Sequence, residues 1–207
     1  RRGYTREAYL ALVKRARERV PGVGLTTDVI SGFCGETEED HAHTVGVMAE
    51  VGFDQAFMFA YSEREGTAAS KTMADDVEEP TKTRRLEEVI AAFREACHGN
   101  FQSEVGRRHC VLVEGPSKRD EGSLMGRTDT GKVVVFKDVE AEARYGSSGG
   151  AAQARVRPGD YAAVDVVSAT TGTLHGELVG RTTLQGFQGV HGRQWAEAEE
   201  LSNAAAR

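Results

Sequence analysis

Cysteine is scarce in this chain of 207 residues, which holds only Cys34, Cys97 and Cys110. An odd number at wide spacing excludes a disulfide framework and makes no metal knuckle. The three thiols read as mostly buried side chains of a reducing compartment. Long apolar runs are also missing. No stretch approaches the roughly 18 residues of a membrane-spanning helix. No charged-then-apolar leader follows the opening Arg1-Arg2-Gly3-Tyr4. Positive charge is not in excess: the net charge of -6 excludes a uniformly basic nucleic-acid binder, though not a local basic face. The length admits one large domain or two small ones.

What is present organises itself around Thr26 to Asp40. Val29, Ile30 and Phe33 give a β-favouring apolar run. Gly32 and Gly35 allow a tight turn. Thr37 with Asp40 three residues on makes an approximate capping box for a following helix. A strand ending at a glycine turn before a helix is where α/β proteins place small polar ligands. Glu36 sits at that junction. The same residues also suit a plain βα turn with no ligand.

Around this stretch the periodicity predicts helices over 5–20, 37–50 and 80–102. Tyr9, Leu12, Val13, Ala16 and Val20 form the apolar stripe of the first. Val45, Met48 and Ala49 form that of the second, and Leu86, Ile90, Phe93 and Cys97 that of the third. A second strand spans 54–61 and is nearly all apolar, as expected of a parallel strand covered on both faces. The helix–strand alternation indicates parallel αβ units. The polar loop 62–67 then follows the C-terminal end of that strand, where active groups collect in such folds. Arg64 in it is a candidate anion contact or an ordinary surface arginine.

Near Val105 the texture changes to short β-like pieces: 109–114, 124–128, 133–137, 161–169 and 173–179. Turn signals such as Gly115-Pro116, Thr130-Gly131 and Pro158-Gly159-Asp160 separate them. Five short strands in so few residues suggest a small closed barrel. The glycine- and serine-rich 138–154 reads as a flexible loop. The segment 188–207 reads as a disordered tail. From 105 to 187 there are 11 basic and 10 acidic residues, against -6 for the whole chain. Small barrels with loop cations bind nucleic-acid backbones, although the balance also fits ordinary mixed surface charge.

Several motifs then coincide in order. They are Arg1-Arg2-Gly3-Tyr4-Thr5, Asp28 to Asp40, Tyr61-Ser62-Glu63-Arg64-Glu65-Gly66-Thr67, Leu112-Val113-Glu114-Gly115-Pro116-Ser117-Lys118-Arg119, Gly126-Arg127-Thr128 and Val133-Val134-Val135-Phe136. Together they cover roughly residues 1–184. The sequence resembles the tRNA methylthiotransferases, radical S-adenosylmethionine enzymes, and within them the mitochondrial member most. Phe33-Cys34-Gly35-Glu36, His41 and Arg181-Thr182-Thr183-Leu184 carry that finer likeness.

The resemblance implies a fold that is α/β followed by all-β. Residues 1–104 would be the carboxy-terminal part of a radical S-adenosylmethionine partial (βα) barrel. Residues 105–187 would be a five-stranded TRAM barrel that grips tRNA. It implies an enzyme that adds a methylthio group to C2 of N6-isopentenyladenosine beside the anticodon, using S-adenosylmethionine and two [4Fe-4S] clusters. It also implies, residue by residue, cofactor contacts at Arg2, Ile30, Gly32, Glu36 and Arg64, and RNA contacts at Lys118, Arg119 and Arg127. The family's cluster cysteines match none of the three here. The chain therefore reads as a carboxy-terminal fragment, inactive alone and mitochondrial by resemblance, with the cytoplasm as the alternative. A stand-alone RNA-binding module and a regulator that binds a kinase activator subunit are the competing readings.

Overall fold

The structure, a computed structural model, describes residues 3–141 and 154–191. Arg2, most of the expected flexible loop and most of the expected tail lie outside them. The chain forms two compact units, residues 1–100 and 101–207.

The first unit is built from helices α1 (Arg6–Arg19), α2 (Glu38–Val51), α3 (Ala68–Thr72) and α4 (Glu79–Gln102). Between them run strands β1 (Thr26–Ser31) and β2 (Gln55–Ala60). The last two residues of α4 belong to the second unit. The local signals act as the sequence suggests. Thr5 caps α1 by accepting the Ala8 N–H. The Thr37–Asp40 capping box is complete in both directions. Gly52 ends α2 in the left-handed region, at φ 59°. Strands β1 and β2 pair in parallel, with Ile30 opposite Phe59 and Asp28 opposite Phe57. Helix α3 is not foreseen by the periodicity, because a five-residue segment carries too short a pattern to read.

Packing corrects several expectations. The core of this unit is Val13, Met48, Val51, Phe53 and Val89, joined by Val29, Ala56 and Met58 from the strands. All of it lies on one face of the two-stranded sheet. On the other face Ile30 is 52% exposed, Phe57 49% and Phe59 55%, so β2 is covered on one face rather than two. Leu12 on α1 and Val20 at its C-cap stand exposed, and Ala49 is exposed on α2. On α4 Cys97 is buried as the stripe predicts, while Leu86, Ile90 and Phe93 are half-buried and the other fully buried apolar position in mid-helix is Val89. Its buried line continues toward the N-terminus through Arg85 and Lys82.

The second unit is a closed barrel in the order β3-β4-β5-β9-β8. Its strands are β3 (Arg108–Pro116), β4 (Ser123–Arg127), β5 (Val133–Lys137), β8 (Tyr161–Thr170) and β9 (Thr173–Thr182). A short ladder of β6 (Glu140–Ala141) and β7 (Ala154–Arg155) stands beside it. All pairings are antiparallel except β5 with β9. Alternate residues point inward, so Val111, Val113, Val134, Phe136, Val164, Val166 and Leu174 fill the interior. A register shift at Glu114 bends β3 against β4. Gly126 permits that contact, since a Cβ there would run into the Leu112 carbonyl oxygen. At the base Glu104 ion-pairs with Lys132 at 2.8 Å, and His109 sits 3.2 Å away. The final described segment, 184–191, is helical and anchored by buried Phe187. The helix thus takes in residues 188–191 of the expected tail.

Candidate ligand turn and nucleic-acid interface

The β1–α2 turn is held by charged side chains, and these decide what it can do. Gly32 has φ +74°, and a Cβ there would strike the Lys82 side chain. Its N–H donates to Glu36 Oε2 at 2.6 Å. The same oxygen accepts from Arg85 Nη1 at 2.8 Å, and Arg85 also reaches the Glu36 carbonyl. Glu36 is therefore not a free carboxylate at the mouth of a cleft. Its side chain is only 10% exposed, and it ties the glycine turn to helix α4.

Lys82 stands beside this pair with only 1% of its side chain exposed. It donates to Asp75 and Glu79, both at 2.7 Å. Hydrogen bonds to those two carboxylates raise its pKa and keep it charged despite burial. Its ammonium lies 5.6 Å from the centre of the Tyr61 ring, a cation–π contact. Tyr61 in turn packs edge-on against Phe33 at 4.9 Å. Its contact with the Cys34 thiol, then burial, push the Tyr61 phenol up to about 12. Arg85 also bonds Glu38, which Arg84 shares. Arg84 and His41 meet on Glu88. The result is a lattice of ion pairs that fixes the turn from below.

Sequence reasoning missed Lys82 and Arg85. The signal was present: they lie seven and four residues before Val89, on the buried line of α4. Charge at those positions on an otherwise apolar face marks a buried ion-pair site.

Of the expected cofactor residues, Ile30 lies on the exposed sheet face beside Phe59, and Gly32 and Glu36 are joined in the turn. Arg64 is exposed in the loop after β2. Among the described residues only its carbonyl is engaged, accepting from the Thr67 hydroxyl at 2.9 Å, and its guanidinium makes no bond. A groove of about 310 Å³ lies elsewhere, on the covered side of β1 between α1 and α2, lined by Tyr9, Val29, Val47 and Phe53 among others.

A [4Fe-4S] cluster does not fit the cysteines. Cys34 and Cys97 are buried in the first unit, whereas Cys110 lies on the barrel strand β3. Burial pushes the Cys110 thiol up to about 11, far from the thiolate a cluster requires. Among the described residues no three His, Cys, Asp or Glu side chains converge on a metal position.

On the barrel, Lys118 and Arg119 are exposed in the loop between β3 and β4. Arg127 behaves differently. It donates to Glu114 and to the Gly131 carbonyl, each at 3.0 Å, so its charge is partly committed to the barrel wall.

With this geometry in hand, residues 102–179 match the family described as TRAM domain. The chain is 48% identical over 89% of its length to a rat protein named mitochondrial tRNA methylthiotransferase CDK5RAP1. The human protein of the same name matches equally, at 48% over 89% of the chain. A Chlorobaculum tepidum protein named tRNA-2-methylthio-N(6)-dimethylallyladenosine synthase is 42% identical over 86%.

The chain belongs to the tRNA methylthiotransferase family.

It spans about a third of the length of these relatives, 31% of the rat protein and 37% of the bacterial one. Family membership accounts for the closed five-stranded barrel at residues 108–182. It also accounts for the αβ units before it. Among the described residues no helix is long and apolar enough to cross a membrane.

Proposed function

We propose that this chain is the tRNA-gripping and cofactor-facing part of an enzyme that adds a methylthio group to C2 of N6-isopentenyladenosine beside the anticodon. The observation that carries the reading is the TRAM match over the closed barrel, joined to αβ units at 48% identity to a named methylthiotransferase. In it, residues 1–104 form the last part of the catalytic domain and 105–187 the tRNA-binding domain.

S-adenosylmethionine, when bound, supplies the radical and the methyl group for this chemistry. This chain's residues hold and orient it. Ile30, flanked by Phe57 and Phe59, offers an exposed apolar surface for an adenosine moiety. Gly32 keeps the backbone close to that surface. Arg64 offers a free guanidinium to a carboxylate or phosphate. Glu36 acts through the turn, not by touching the ligand. Arg2 completes the set on the family likeness alone. The three cysteines provide no cluster site, so this chain by itself binds tRNA and does not run the radical chemistry.

The relatives' names support a mitochondrial location. The bacterial relatives keep the cytoplasm as the alternative. A kinase activator subunit as partner rests on the family likeness, and no described surface singles it out.

Ultraviolet cross-linking of an anticodon stem-loop carrying isopentenyladenosine, followed by peptide mapping, tests the reading. Cross-links within the barrel are expected. Absence of any specific cross-link would overturn it. Anaerobic iron–sulfur reconstitution should leave the protein colourless, and a stable cluster absorption band would refute the claim of inactivity.

A further inference from the structure

Resting on this reading of the barrel as a tRNA grip, we infer that Arg157, in the turn before β8, is a further phosphate contact on one face with Lys118 and Arg119. The inference begins with where the barrel's cations are spent. Arg107, Arg108, Arg127, Lys132, Lys137, Arg155 and Arg181 all ion-pair with carboxylates. Among the described residues of this unit, the three cations without such a pair are Lys118, Arg119 and Arg157. All three are exposed.

Strand register puts these three at one end of the barrel. Strand β3 pairs with the start of β8 at Leu112 and Tyr161. One residue further on, the Val113 N–H donates to the Asp160 carbonyl at 2.9 Å and the Gly159 N–H to the Val113 carbonyl at 2.8 Å. The 157–160 turn is thereby bonded directly to β3. Continuing along that strand, Pro116 pairs with Leu124, and the 117–122 loop closes off the same end. Lys118 is five residues past Val113, within about 17 Å even at full extension. The loops at the other end, 128–132 and 171–172, carry Lys132 alone, and it is buried and paired.

The two loops share one construction. In each, an aspartate takes up a cation from a neighbouring strand and also pins the loop. Asp120 accepts from Lys137 at 2.9 Å and from the Ser123 hydroxyl at 2.6 Å. Asp160 pairs with Arg181 at 2.9 Å and accepts the Arg157 N–H at 2.9 Å. Each loop is thus pinned by its aspartate, while its own cations make no ion pair among the described residues. A cation on a pinned turn loses less freedom on binding than one on a loose loop. Exposed Glu121 and Glu140 share this end, so the attraction comes from the placement of the three free cations and not from a large net charge. An RNA backbone, with regularly spaced phosphates, is the partner such spaced point charges fit.

The test is fluorescence anisotropy of a labelled anticodon stem-loop against the 207-residue chain across a potassium chloride series. Wild type, Arg157→Ala, Arg157→Lys and Arg107→Ala are compared, with circular dichroism melts to show that each is folded. Arg157→Ala is expected to bind about fivefold more weakly, with the slope of log K against log salt reduced by roughly 0.7–0.9. Arg157→Lys should keep the wild-type slope. Arg107→Ala, at the other end, should match wild type. If wild type binds with a salt slope and Arg157→Ala has the same affinity and slope, the inference fails while the tRNA-grip reading stands. If wild type shows no salt-dependent binding, both fail.

Discussion

The Arg85 guanidinium meets the Glu36 carboxylate at 2.8 Å, and that same carboxylate oxygen receives the Gly32 N–H at 2.6 Å. One helix residue and one turn residue thus fix the backbone of the proposed ligand wall. Removing one partner of a buried pair leaves an uncompensated charge, at a cost of about 3–5 kcal/mol. Arg85→Met should lower the stability of the first unit by on the order of 3 kcal/mol in urea denaturation. A loss below about 0.5 kcal/mol, the range of ordinary surface changes, would show that the pair does not hold the turn. Arg64→Ala provides the contrast. That side chain is exposed and makes no ion pair among the described residues, so its removal should leave stability within about 0.5 kcal/mol.

Gly32→Ala is expected to be costly for two reasons that add. The left-handed φ of +74° strains any other residue, and the new methyl strikes the buried Lys82 side chain. A loss of roughly 2 kcal/mol or more follows, because Lys82 is held by Asp75 and Glu79 and cannot move aside. A thermal melt unchanged from wild type would mean that the turn relaxes freely.

The barrel should respond to acid through Glu104. Burial alone would raise its pKa, but hydrogen bonds from His109 and Lys132, together with their charges, bring it down to about 2. An ordinary unfolded glutamate titrates near 4.3. A depressed folded pKa gives stability that is present above the unfolded value and lost as pH falls through the folded one. Stability should therefore decline between about pH 4.5 and pH 2. In Glu104→Gln that decline should be reduced in the same window, on a lower baseline. Equal pH profiles for the two proteins would contradict the assignment.

Much of the scaffold was legible because its signals are local. The Thr5 and Thr37 caps, the Gly52 stop and all five barrel strands follow from residues adjacent in sequence. What escaped depends on partners far along the chain. Glu36 looks like a ligand carboxylate until Arg85, 49 positions away, is seen bonded to it. Lys82 and Arg85 look like solvated charges at the start of the third expected helix until the turn packs on them. The apolar run of β2 suggests cover on both faces, yet α1, α2 and α4 pack on the Ala56 and Met58 side and leave Phe57 and Phe59 bare. Periodicity reports that a residue is apolar, not which element arrives to cover it. Arg127 illustrates the same limit, since nothing local announces its bond to Glu114 across the β3–β4 bulge.

The central claim is that the barrel grips tRNA through its uncommitted loop cations. Nitrocellulose filter binding of an anticodon stem-loop, wild type against Lys118→Ala/Arg119→Ala from low to physiological salt, tests it most directly. Loss of two phosphate contacts should flatten the slope of log K against log salt by about 1.4–1.8 and weaken binding most at low salt. An unchanged affinity and slope at low salt would contradict the account.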